Sequence, residues 1–322
     1  MNNPKIQKMR ALLAAGDVIV SPGVYDGYSA RVIERMGFEA ASTTGAGLAN
    51  SRLSEPDIGI FTLTENVEAC KWLARSVSIP MMADADTGYG NPVSVYHTVQ
   101  LFEEAGVVGV NLEDQVSPKR CGHMRGKEVI DAREMAKKIE AAVKAKSDAG
   151  FIINARTDAI AVEGIDAAIE RARLYAAAGA DMIYPDAIAS EEQIKRFVDA
   201  VKLPVSINMG FGIRSRPTTP LIPVRRLKEL GVARVTLARM LPAASIMAMK
   251  QALELFRDGM EKGIAHDRPD LLASIDDITD LMGYPFIDQL ESEFLLPEEM
   301  ERKYGAEKSG YVVHEKSQAK SS

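Results

Sequence analysis

The sequence is poor in cysteine and tryptophan, with two cysteines and one tryptophan among 322 residues. Two cysteines cannot build the disulfide framework of a small secreted protein, so a reducing compartment is expected. No apolar run reaches the roughly 20 residues that a membrane-spanning helix needs. Residues 1–5 lack the apolar core of a signal peptide. These absences favour a cytoplasmic protein that has no membrane partner.

The sequence also lacks an excess of basic residues. Lysine and arginine total 39 against 45 acidic residues, which gives a net charge of −6. A general nucleic-acid binder needs basic patches to meet phosphate groups, so no nucleic-acid partner is expected. Hydrophobic residues make up 46% of the chain and charged residues 26%, the composition of an ordinary globular protein. The length suits one large domain or two smaller ones.

Short apolar segments alternate with longer amphipathic segments along the chain. Eight of the short segments have the character of strands buried on both faces of a parallel sheet: residues 18–21, 40–43, 80–84, 108–112, 151–156, 182–185, 204–208 and 233–237. Helical patterns lie between them, among them residues 92–105, 131–149, 165–178 and 190–201. Eight strands joined by helices predict an α/β fold, a (β/α)8 TIM-type barrel. A doubly wound open sheet is the weaker alternative, because residues 21–26 carry no dinucleotide-binding fingerprint.

The C-terminal part holds more helical sequence than a barrel requires. We expect the barrel with its active site over residues 1–263, a helical extension over 264–304 and a mobile, lysine- and serine-rich tail over 305–322. Residues 242–263 have the pattern of one long amphipathic helix. Apolar helices beyond a closed barrel usually pack on another subunit, so the sequence predicts an oligomer.

Polar residues gather where the predicted strands end. The active sites of such barrels lie at the C-terminal ends of strands and in the loops that follow. The predicted ends give residues 43–47, 84–90, 113–115 and 154–158, together with Asp186 and Asn208. We therefore expect a charged and polar site at one rim of the barrel.

Two of these ends carry carboxylates in a spacing that suits a metal ion. Asp84 and Asp86 point to the same side if the strand continues, and Glu113 ends the neighbouring strand. An all-oxygen anionic cluster is suited to Mg²⁺, with Mn²⁺ also possible. The alternative is structural: Asp86 caps the following helix and Asp84 bonds a loop amide. The presence of Glu113 favours the metal.

The remaining rim residues suit an anionic ligand. Backbone amides and hydroxyls of the segment Thr43, Thr44, Gly45, Ala46 and Gly47 can cradle a substrate carboxylate. Arg156 follows apolar residues and needs an anionic partner. That partner is either Asp158 or Asp186, or the substrate, and the sequence leaves the two possibilities about even.

Residues 119–123 place a thiol in a basic setting. Cys121 stands between the pair Lys119–Arg120 and His123, and a cysteine beside cations loses its proton more readily. Such a thiol can exchange a proton with a substrate. Cys70 falls in a helical pattern and is expected to be a packed residue. A cysteine-protease site would leave the rim carboxylates without a use, so we set that possibility aside.

At these residues the chain resembles the isocitrate lyase/phosphoenolpyruvate mutase superfamily. The motifs are Asp84-Ala85-Asp86-Thr87-Gly88-Tyr89-Gly90, Glu113-Asp114-Gln115, Lys119-Arg120-Cys121-Gly122-His123 and Asn154-Ala155-Arg156-Thr157-Asp158-Ala159. The similarity runs from about residue 18 to about residue 294. In that superfamily, a cysteine in the third motif marks lyases that cleave a carbon–carbon bond. The resemblance therefore favours the lyase branch, which includes methylisocitrate lyase, 2,3-dimethylmalate lyase and oxaloacetate hydrolase.

The resemblance implies a set of roles. Magnesium would lie near Asp84, Asp86 and Glu113, with Asp57 close by, and Cys121 would protonate a carbanion with help from His123. The substrate would be a small dicarboxylate, contacted by the Thr43–Gly47 segment and by Gly122, Arg156, Asp186 and Asn208. The superfamily also implies a homotetramer in which the last barrel helix is exchanged between subunits.

Two departures bear on the substrate. Methylisocitrate lyases have Glu where this chain has Asp186, and the segment from Asn208 to Arg216 differs from theirs. Pro118 and residues 124–127 also resemble the dimethylmalate lyase and oxaloacetate hydrolase branch more closely. Together these features favour a dicarboxylate of substituted-malate type. Hydrolysis of oxaloacetate and phosphorus–carbon chemistry on phosphonopyruvate are the enzymatic alternatives. A catalytically inactive barrel that binds a diacid is the non-enzymatic one.

Overall fold

A parallel sheet of eight strands forms the centre of the computed structural model, which describes residues 3–122, 124–214, 218–265 and 267–305. The strands follow the order β6-β5-β4-β3-β2-β1-β8-β7, and a parallel bridge between Ile183 and Val205 joins the two ends. The predicted TIM-type barrel is confirmed. The strands are β1 (Ile19–Val24), β2 (Ala41–Thr43), β3 (Met81–Asp84), β4 (Gly109–Glu113), β5 (Ile152–Thr157), β6 (Met182–Pro185), β7 (Ser206–Asn208) and β8 (Arg234–Leu237).

Helices connect the strands and cover the outside of the sheet. Those of the barrel part are α1 (Pro4–Ala15), α2 (Gly27–Arg35), α3 (Gly45–Leu48), a π-helical turn (Ala49–Leu53), α4 (Leu63–Ser76), α5 (Pro92–Glu104), α6 (Ala132–Ala145), α7 (Ile160–Glu163), α8 (Ile165–Ala177), α9 (Glu191–Ala200), α10 (Val224–Leu230) and α11 (Met240–Lys262). Buried side chains of the strands and of the inner helix faces form the main apolar core, and Cys70 belongs to it as expected.

One predicted helix ends earlier than expected. The pattern over residues 131–149 predicts one helix, but the helix stops at Ala145, because Lys146 leaves the helical conformation with φ −58° and ψ 130°. The backbone N–H groups of Ser147 and Asp148 donate instead to the Glu103 carboxylate at 2.8 and 2.7 Å. A side chain more than 40 residues away in sequence thus provides the bonds that end the helix, and a local pattern cannot reveal it.

The inside of the barrel is polar below the rim. Asn154 on β5 donates to Asn111 on β4 at 2.8 Å. Arg234 on β8 is fully buried and donates to the hydroxyls of Ser21 and Ser206 at 3.1 and 3.3 Å. Burial lowers the pKa of this guanidinium to about 10. Polar side chains also lie at the C-terminal rim of the barrel, where we expect the chemistry.

The chain divides between residues 266 and 267 into two compact units. The second unit contains α12 (Ile275–Met282), α13 (Tyr284–Phe294) and α14 (Pro297–Tyr304). In the predicted tail of residues 305–322, only Gly305 belongs to the described residues. Within the described ranges, no helix is long and apolar enough to cross a membrane.

Helix α11 has a large apolar surface that is exposed among the described residues. Gly259 is the one buried residue of its 23. Six large apolar side chains are more than half exposed to solvent: Ile246, Met247, Met249, Leu253, Phe256 and Met260. A contiguous apolar surface of this kind marks an interaction site.

The close approach of β4 and β5 depends on a glycine, which gives a test of the fold. A β carbon on Gly109 would lie 2.6 Å from the Ile152 carbonyl oxygen and 2.7 Å from the Ile152 β carbon. We predict that Gly109→Ala lowers the free energy of unfolding by about 1–3 kcal/mol, because the two strands must separate. Urea denaturation followed by circular dichroism measures the change.

The matched control is Gly27→Ala at the start of α2. A β carbon there has no neighbour within 4 Å, so we expect equal or slightly higher stability. Equal stability of the wild-type protein and Gly109→Ala would contradict the pairing of β4 with β5 in this register.

Candidate active site

A small cavity of about 60 Å³ lies at the C-terminal rim of the barrel. It is lined by residues that lie on or directly after the strands, by residues of the loop after β4, and by Asp57 from the segment before α4. The lining residues are Gly23, Ser42, Thr43, Thr44, Ala46, Asp57, Asp84, Asn111, Lys119, Cys121, Gly122, Arg156, Tyr184, Asp186, Asn208, Thr236, Ala238 and Arg239. Seven of the residues that the sequence placed at strand ends therefore meet in one cavity: Thr43, Thr44, Ala46, Asp84, Arg156, Asp186 and Asn208.

Asp84 is tied to the loop after β2. Its carboxylate accepts a hydrogen bond from the Gly45 N–H at 3.1 Å, and its own N–H donates to Thr43 Oγ1 at 2.9 Å. The loop-amide bond of the structural alternative is therefore present, and it does not exclude a metal ion at Asp84. Gly45 directs its N–H to this carboxylate, while Thr43, Thr44 and Ala46 line the cavity.

Lys119 inserts between two acidic residues of the rim. Its ammonium lies 2.6 Å from Asp57 and 2.9 Å from Asp86, and the residue is 4% exposed. Burial raises the pKa of Asp86 to about 6, with Lys119 opposing the shift and Asp84 and Asp57 adding to it. The sequence suggested Lys119 as a neighbour of the thiol, whereas the structure shows it as the counter-ion of the rim carboxylates.

Arg156 is the centre of the second charged group. Its guanidinium forms two hydrogen bonds to Asp158, at 2.9 and 3.0 Å, and ion pairs with Glu113 at 3.2 Å and Asp186 at 3.4 Å. It also lies over the ring of Tyr184, 5.3 Å from the ring centroid. Although burial alone lowers the pKa of Arg156, these carboxylates raise it well above its usual value. The structural partners left open by the sequence are thus both present, and Glu113 is a third.

Glu113 has an oxygen without a partner among the described residues. The residue is 2% exposed, and Oε1 accepts no hydrogen bond from the described residues. Burial raises the pKa of Glu113 well above its usual range, against the opposing effects of Arg156 and Lys119. A buried and unsatisfied carboxylate oxygen of this kind can accept a bond from a ligand.

These residues fit a hard cation that keeps much of its water. Within the described residues, no group of three or more histidine, cysteine or acidic side chains is arranged to hold a metal ion by itself. Ion pairs with Lys119 and Arg156 take up oxygens of Asp57, Asp86 and Glu113. The donors are nonetheless all oxygen, and Mg²⁺ retains several waters and needs few direct protein bonds. Magnesium at Asp84, Asp86, Glu113 and Asp57 stays a prediction.

Cys121 is held at the cavity by the loop that follows β4. Its sulfur accepts a hydrogen bond from Arg239 Nη2 at 2.7 Å, and its N–H donates to the Asp57 carbonyl at 3.2 Å. The side chain of Gln115 bonds both the N–H and the carbonyl of Arg120, each at 2.9 Å. His123 lies outside the described residues, so its predicted role stays a prediction.

Arg239 was missed by the sequence reasoning. It follows β8, 118 residues beyond Cys121, and no local motif connects the two residues. The signal that could have found it was its position two residues beyond a predicted strand end, the same rule that selected the other rim residues. The cation that bonds the Cys121 sulfur is therefore Arg239, a residue that is far from Cys121 in sequence.

Successive residues of the Glu113-Asp114-Gln115 motif have different tasks. Glu113 pairs with Arg156, and Gln115 holds the loop that carries the cysteine. Asp114 is fully buried, and it accepts hydrogen bonds from the Thr157 hydroxyl at 2.8 Å, the Tyr175 hydroxyl at 2.7 Å and the Asp158 N–H at 2.9 Å. It therefore fixes the turn that carries Asp158.

Asn208 is oriented by its neighbours on β8. Its side-chain oxygen accepts hydrogen bonds from the Thr236 hydroxyl at 3.0 Å and the Ala238 N–H at 3.2 Å. The amide NH₂ group is therefore the part of the side chain left to face a ligand in the cavity. A donor in this position suits an oxygen-rich substrate.

Comparison with known proteins gives the family. The model of the phosphoenolpyruvate phosphomutase family matches residues 9–257. The chain belongs to this family, and through it to the superfamily that its motifs resemble.

Two curated relatives illustrate the similarity. The 2-methylisocitrate lyase of Aeropyrum pernix is 42% identical over 287 residues, which cover 88% of this chain and 89% of that protein. The 2,3-dimethylmalate lyase of Eubacterium barkeri is 39% identical over 288 residues, covering 89% of this chain and 97% of the relative. These relatives support a carbon–carbon lyase.

Solved structures share the fold. An oxaloacetate acetylhydrolase in complex with the inhibitor 3,3-difluorooxalacetate has a TM-score of 0.83 and 32% identity, covering 90% of this chain and 96% of the other. A phosphonopyruvate hydrolase in complex with oxalate and Mg²⁺ has a TM-score of 0.80 and 28% identity, covering 91% and 99%. Proteins with this barrel therefore catalyse more than one kind of reaction.

The two cysteines should differ sharply in reactivity. Cys70 is fully buried, and burial raises the pKa of its thiol to about 12, so almost none of it is thiolate at about pH 8. Cys121 is partly exposed at the cavity. We predict that iodoacetamide at about pH 8 labels Cys121 in the native protein and leaves Cys70 unlabelled, as measured by peptide mass spectrometry.

Unfolding in urea supplies the control, since both thiols should then react. Labelling of Cys70 at a rate similar to that of Cys121 in the native protein would contradict the burial of α4 against the barrel.

Proposed function

We propose that this protein cleaves the C2–C3 bond of a 2-hydroxy dicarboxylate of substituted-malate type, such as 2,3-dimethylmalate. A related acid such as 2-methylisocitrate belongs to the same class of reaction. The products are a 2-oxo acid and a carboxylic acid. The observation that carries the proposal is the meeting of Cys121, Arg156 and Arg239 with the rim carboxylates in one cavity.

The cavity suits a doubly anionic substrate. Arg156, Arg239 and Lys119 bring three cationic groups to its wall. The Asn208 amide and the Thr43 and Thr44 hydroxyls add neutral polar groups for carboxylate and hydroxyl oxygens. Arginine presents parallel donors that match a carboxylate, which gives orientation as well as affinity.

Asp84, Asp86 and Glu113, with Asp57 nearby, are the residues that would hold Mg²⁺ or Mn²⁺. The ion, when bound, would polarise the substrate oxygen at C2 and favour its loss of a proton. The C2 hydroxyl proton passes to a rim carboxylate that acts as base, and the electron pair of the O–H bond forms the C2=O bond. The C2–C3 bond breaks in a retro-aldol sense, and its electron pair is left on C3. Arg156, which is held in place by Asp158, is proposed to stabilise the negative charge that develops on the leaving fragment, and its fixed position requires no reorganisation.

Cys121 is the proposed general acid. The thiol gives its proton to the carbanion carbon, and the resulting thiolate stays beside Arg239 at hydrogen-bond distance. Residues of the loop that carries Cys121 line the cavity, and the loop is proposed to limit the entry of water, which would otherwise protonate the carbanion without control. His123 is proposed to assist in setting the state of the thiol.

Asp186 lies in the cavity wall at a position where the sequence departs from the methylisocitrate lyases. Its side chain is 2% exposed, lies next to Gly122 and pairs with both Arg156 and Lys127. Asp in place of Glu keeps the charge but shortens the side chain, so the two kinds of site differ in shape rather than in charge. This difference, with the departure over residues 208–216, supports the preference for a substituted malate.

Hydrolysis of oxaloacetate to oxalate and acetate is the second candidate. The similarity to the oxaloacetate acetylhydrolase structure favours it specifically. Mutase or hydrolase chemistry on phosphonopyruvate shares the same barrel and is the third possibility. The products of these reactions differ, so one experiment separates them.

We predict that the protein with Mg²⁺ converts 2,3-dimethylmalate, or another member of a panel, into a 2-oxo acid and a carboxylic acid. The panel also contains 2-methylisocitrate, isocitrate, oxaloacetate and phosphonopyruvate, with products followed by NMR. Cys121→Ser should lower kcat by at least about 100-fold, because a hydroxyl is a much weaker acid than a thiol.

The matched control is Cys70→Ser, which removes the buried thiol of α4 and should keep kcat within a few-fold. Oxalate or phosphate as the product would replace the lyase by one of the other candidates. Full activity of Cys121→Ser would remove the thiol from the mechanism.

Metal dependence gives a second test. We predict that EDTA abolishes activity, that Mg²⁺ restores it, and that Asp86→Asn weakens Mg²⁺ binding by at least about tenfold in calorimetry. Glu140→Gln, an exposed change on α6, is the control and should leave Mg²⁺ affinity unchanged. Unaltered binding in Asp86→Asn would place the ion elsewhere.

We further propose that the protein assembles as a homotetramer in which α11 packs on a neighbouring subunit. The exposed apolar side chains of α11 support this proposal. Light scattering should give a mass four times the 35.0 kDa of one chain. Phe256→Asp should shift the mass downward because it puts a charge into the apolar contact, whereas Gln251→Asp on the same helix should not. A monomeric wild-type protein would contradict the proposal.

A further inference from the structure

The loop between β4 and α6 is attached to the barrel at both of its ends. We use the name cysteine loop for residues 116–128, which the structure describes except for His123. Its base is a short antiparallel pairing, in which the Val116 N–H donates to the Glu128 carbonyl and the Ile130 N–H donates to the Asp114 carbonyl, each at 2.9 Å. Cys121 lies near the middle of this loop in sequence, and we call residues 122–128 the returning arm.

Lys127 is the residue of the returning arm that reaches the barrel interior. Its side chain is 3% exposed, and its ammonium lies 2.8 Å from Asp158 and 3.4 Å from Asp186. Burial alone would lower the pKa of this lysine, but the two carboxylates raise it above its usual value. The loop therefore contributes a buried cation to a group of acids that belong to the ends of β5 and β6.

The same acids hold Arg156, so the balance of charge depends on Lys127. Glu113, Asp158 and Asp186 share the single guanidinium of Arg156. Without Lys127, the guanidinium alone would face these three buried carboxylates, and an anionic substrate would add to the excess. Removing one partner from a buried charged group leaves an uncompensated charge, which is costly.

The backbone of the cysteine loop also contacts Arg156 and Asp186, at Gly122 directly beside the thiol. A β carbon on Gly122 would lie 2.7 Å from Arg156 Nη2 and closer still to an oxygen of Asp186. The backbone next to Cys121 thus rests on the two side chains whose charge and position Lys127 helps to fix. Two contacts of the returning arm, at Gly122 and at Lys127, therefore converge on Asp186.

We propose that Lys127 is the positioning residue that holds the cysteine loop on the rim, through Asp158 and Asp186, and so sets the distance between Cys121 and the substrate carbon. This inference rests on the proposed function in one respect, the protonation by Cys121. Lys127 is not among the described residues that line the cavity. Its effect is transmitted by the two carboxylates and by Gly122.

The test measures the position of the loop without relying on activity. Trypsin cleaves after Arg120 and Arg125, which lie in the loop on either side of Cys121. In Lys127→Met we expect the rates of cleavage at these two sites, and of iodoacetamide labelling of Cys121, to rise at least about tenfold. Circular dichroism and thermal unfolding establish that the variant is folded.

Two further variants separate positioning from general destabilisation. Lys127→Gln keeps a hydrogen-bond donor but removes the charge, and it should expose the loop as Lys127→Met does. Adding Asp186→Asn to Lys127→Met removes one of the unbalanced carboxylates and should restore part of the protection. Lys137→Met, at an exposed lysine on α6, is the matched control and should change neither rate.

Kinetics and metal binding complete the design. Lys127→Met should lower kcat for the substrate found in the panel, while calorimetric affinity for Mg²⁺ stays within about twofold because Lys127 bonds none of the predicted metal ligands. Wild-type protection of the loop in a folded Lys127→Met or Lys127→Gln overturns the inference. If the wild-type protein proves not to be a lyase but the loop still opens in these variants, the proposed function fails and the role of Lys127 stands.

Discussion

The buried guanidinium of Arg156 is the interaction on which the rest of the rim depends. It connects Glu113 at the end of β4, Asp158 after β5 and Asp186 after β6. One cation among three acids is stable only with further positive charge nearby, and Lys127 provides it from the loop after β4. These ion pairs therefore connect the ends of β4, β5 and β6 with the loop after β4. Removing one of the charges alters the electrostatic balance of the other residues.

A parallel arrangement around Lys119 balances the other acids of the rim. Lys119 pairs with Asp57 and Asp86, which are among the residues predicted to hold magnesium. Binding of a divalent cation would have to rearrange these ion pairs. The two lysines flank Cys121 in sequence, so both charged groups of the rim are connected to the segment that carries the thiol.

The sequence predicted the barrel well, for a physical reason. Strands buried on both faces need unbroken apolar runs, and connecting helices need amphipathic ones, so local composition records the architecture. The errors lie at boundaries that distant residues decide. The end of α6 is one example, because Glu103 on α5 binds the amides that terminate it.

The site was predictable in its residue types but not in its pairings. The rule that strand ends carry function selected Asp84, Glu113, Arg156, Asp186 and Asn208, all of which meet in or beside one cavity. It could not show that Asp84 bonds the Gly45 amide, or that Arg239 would reach Cys121 from 118 residues away. Contacts of this kind depend on the closed barrel, which brings β1, β2 and β8 next to the loop after β4.

The proposed reaction breaks a carbon–carbon bond without consuming water, and Cys121 delivers the new proton. Reaction of the preferred substrate in D₂O enriched in ¹⁸O tests both parts at once. We predict one deuterium on the former C3 carbon of the carboxylic acid, on a single face, and no ¹⁸O in the carboxylates of either product. Incorporation of ¹⁸O into a product carboxylate would show hydrolysis, and deuterium on both faces would show protonation by solvent; either result would contradict this mechanism.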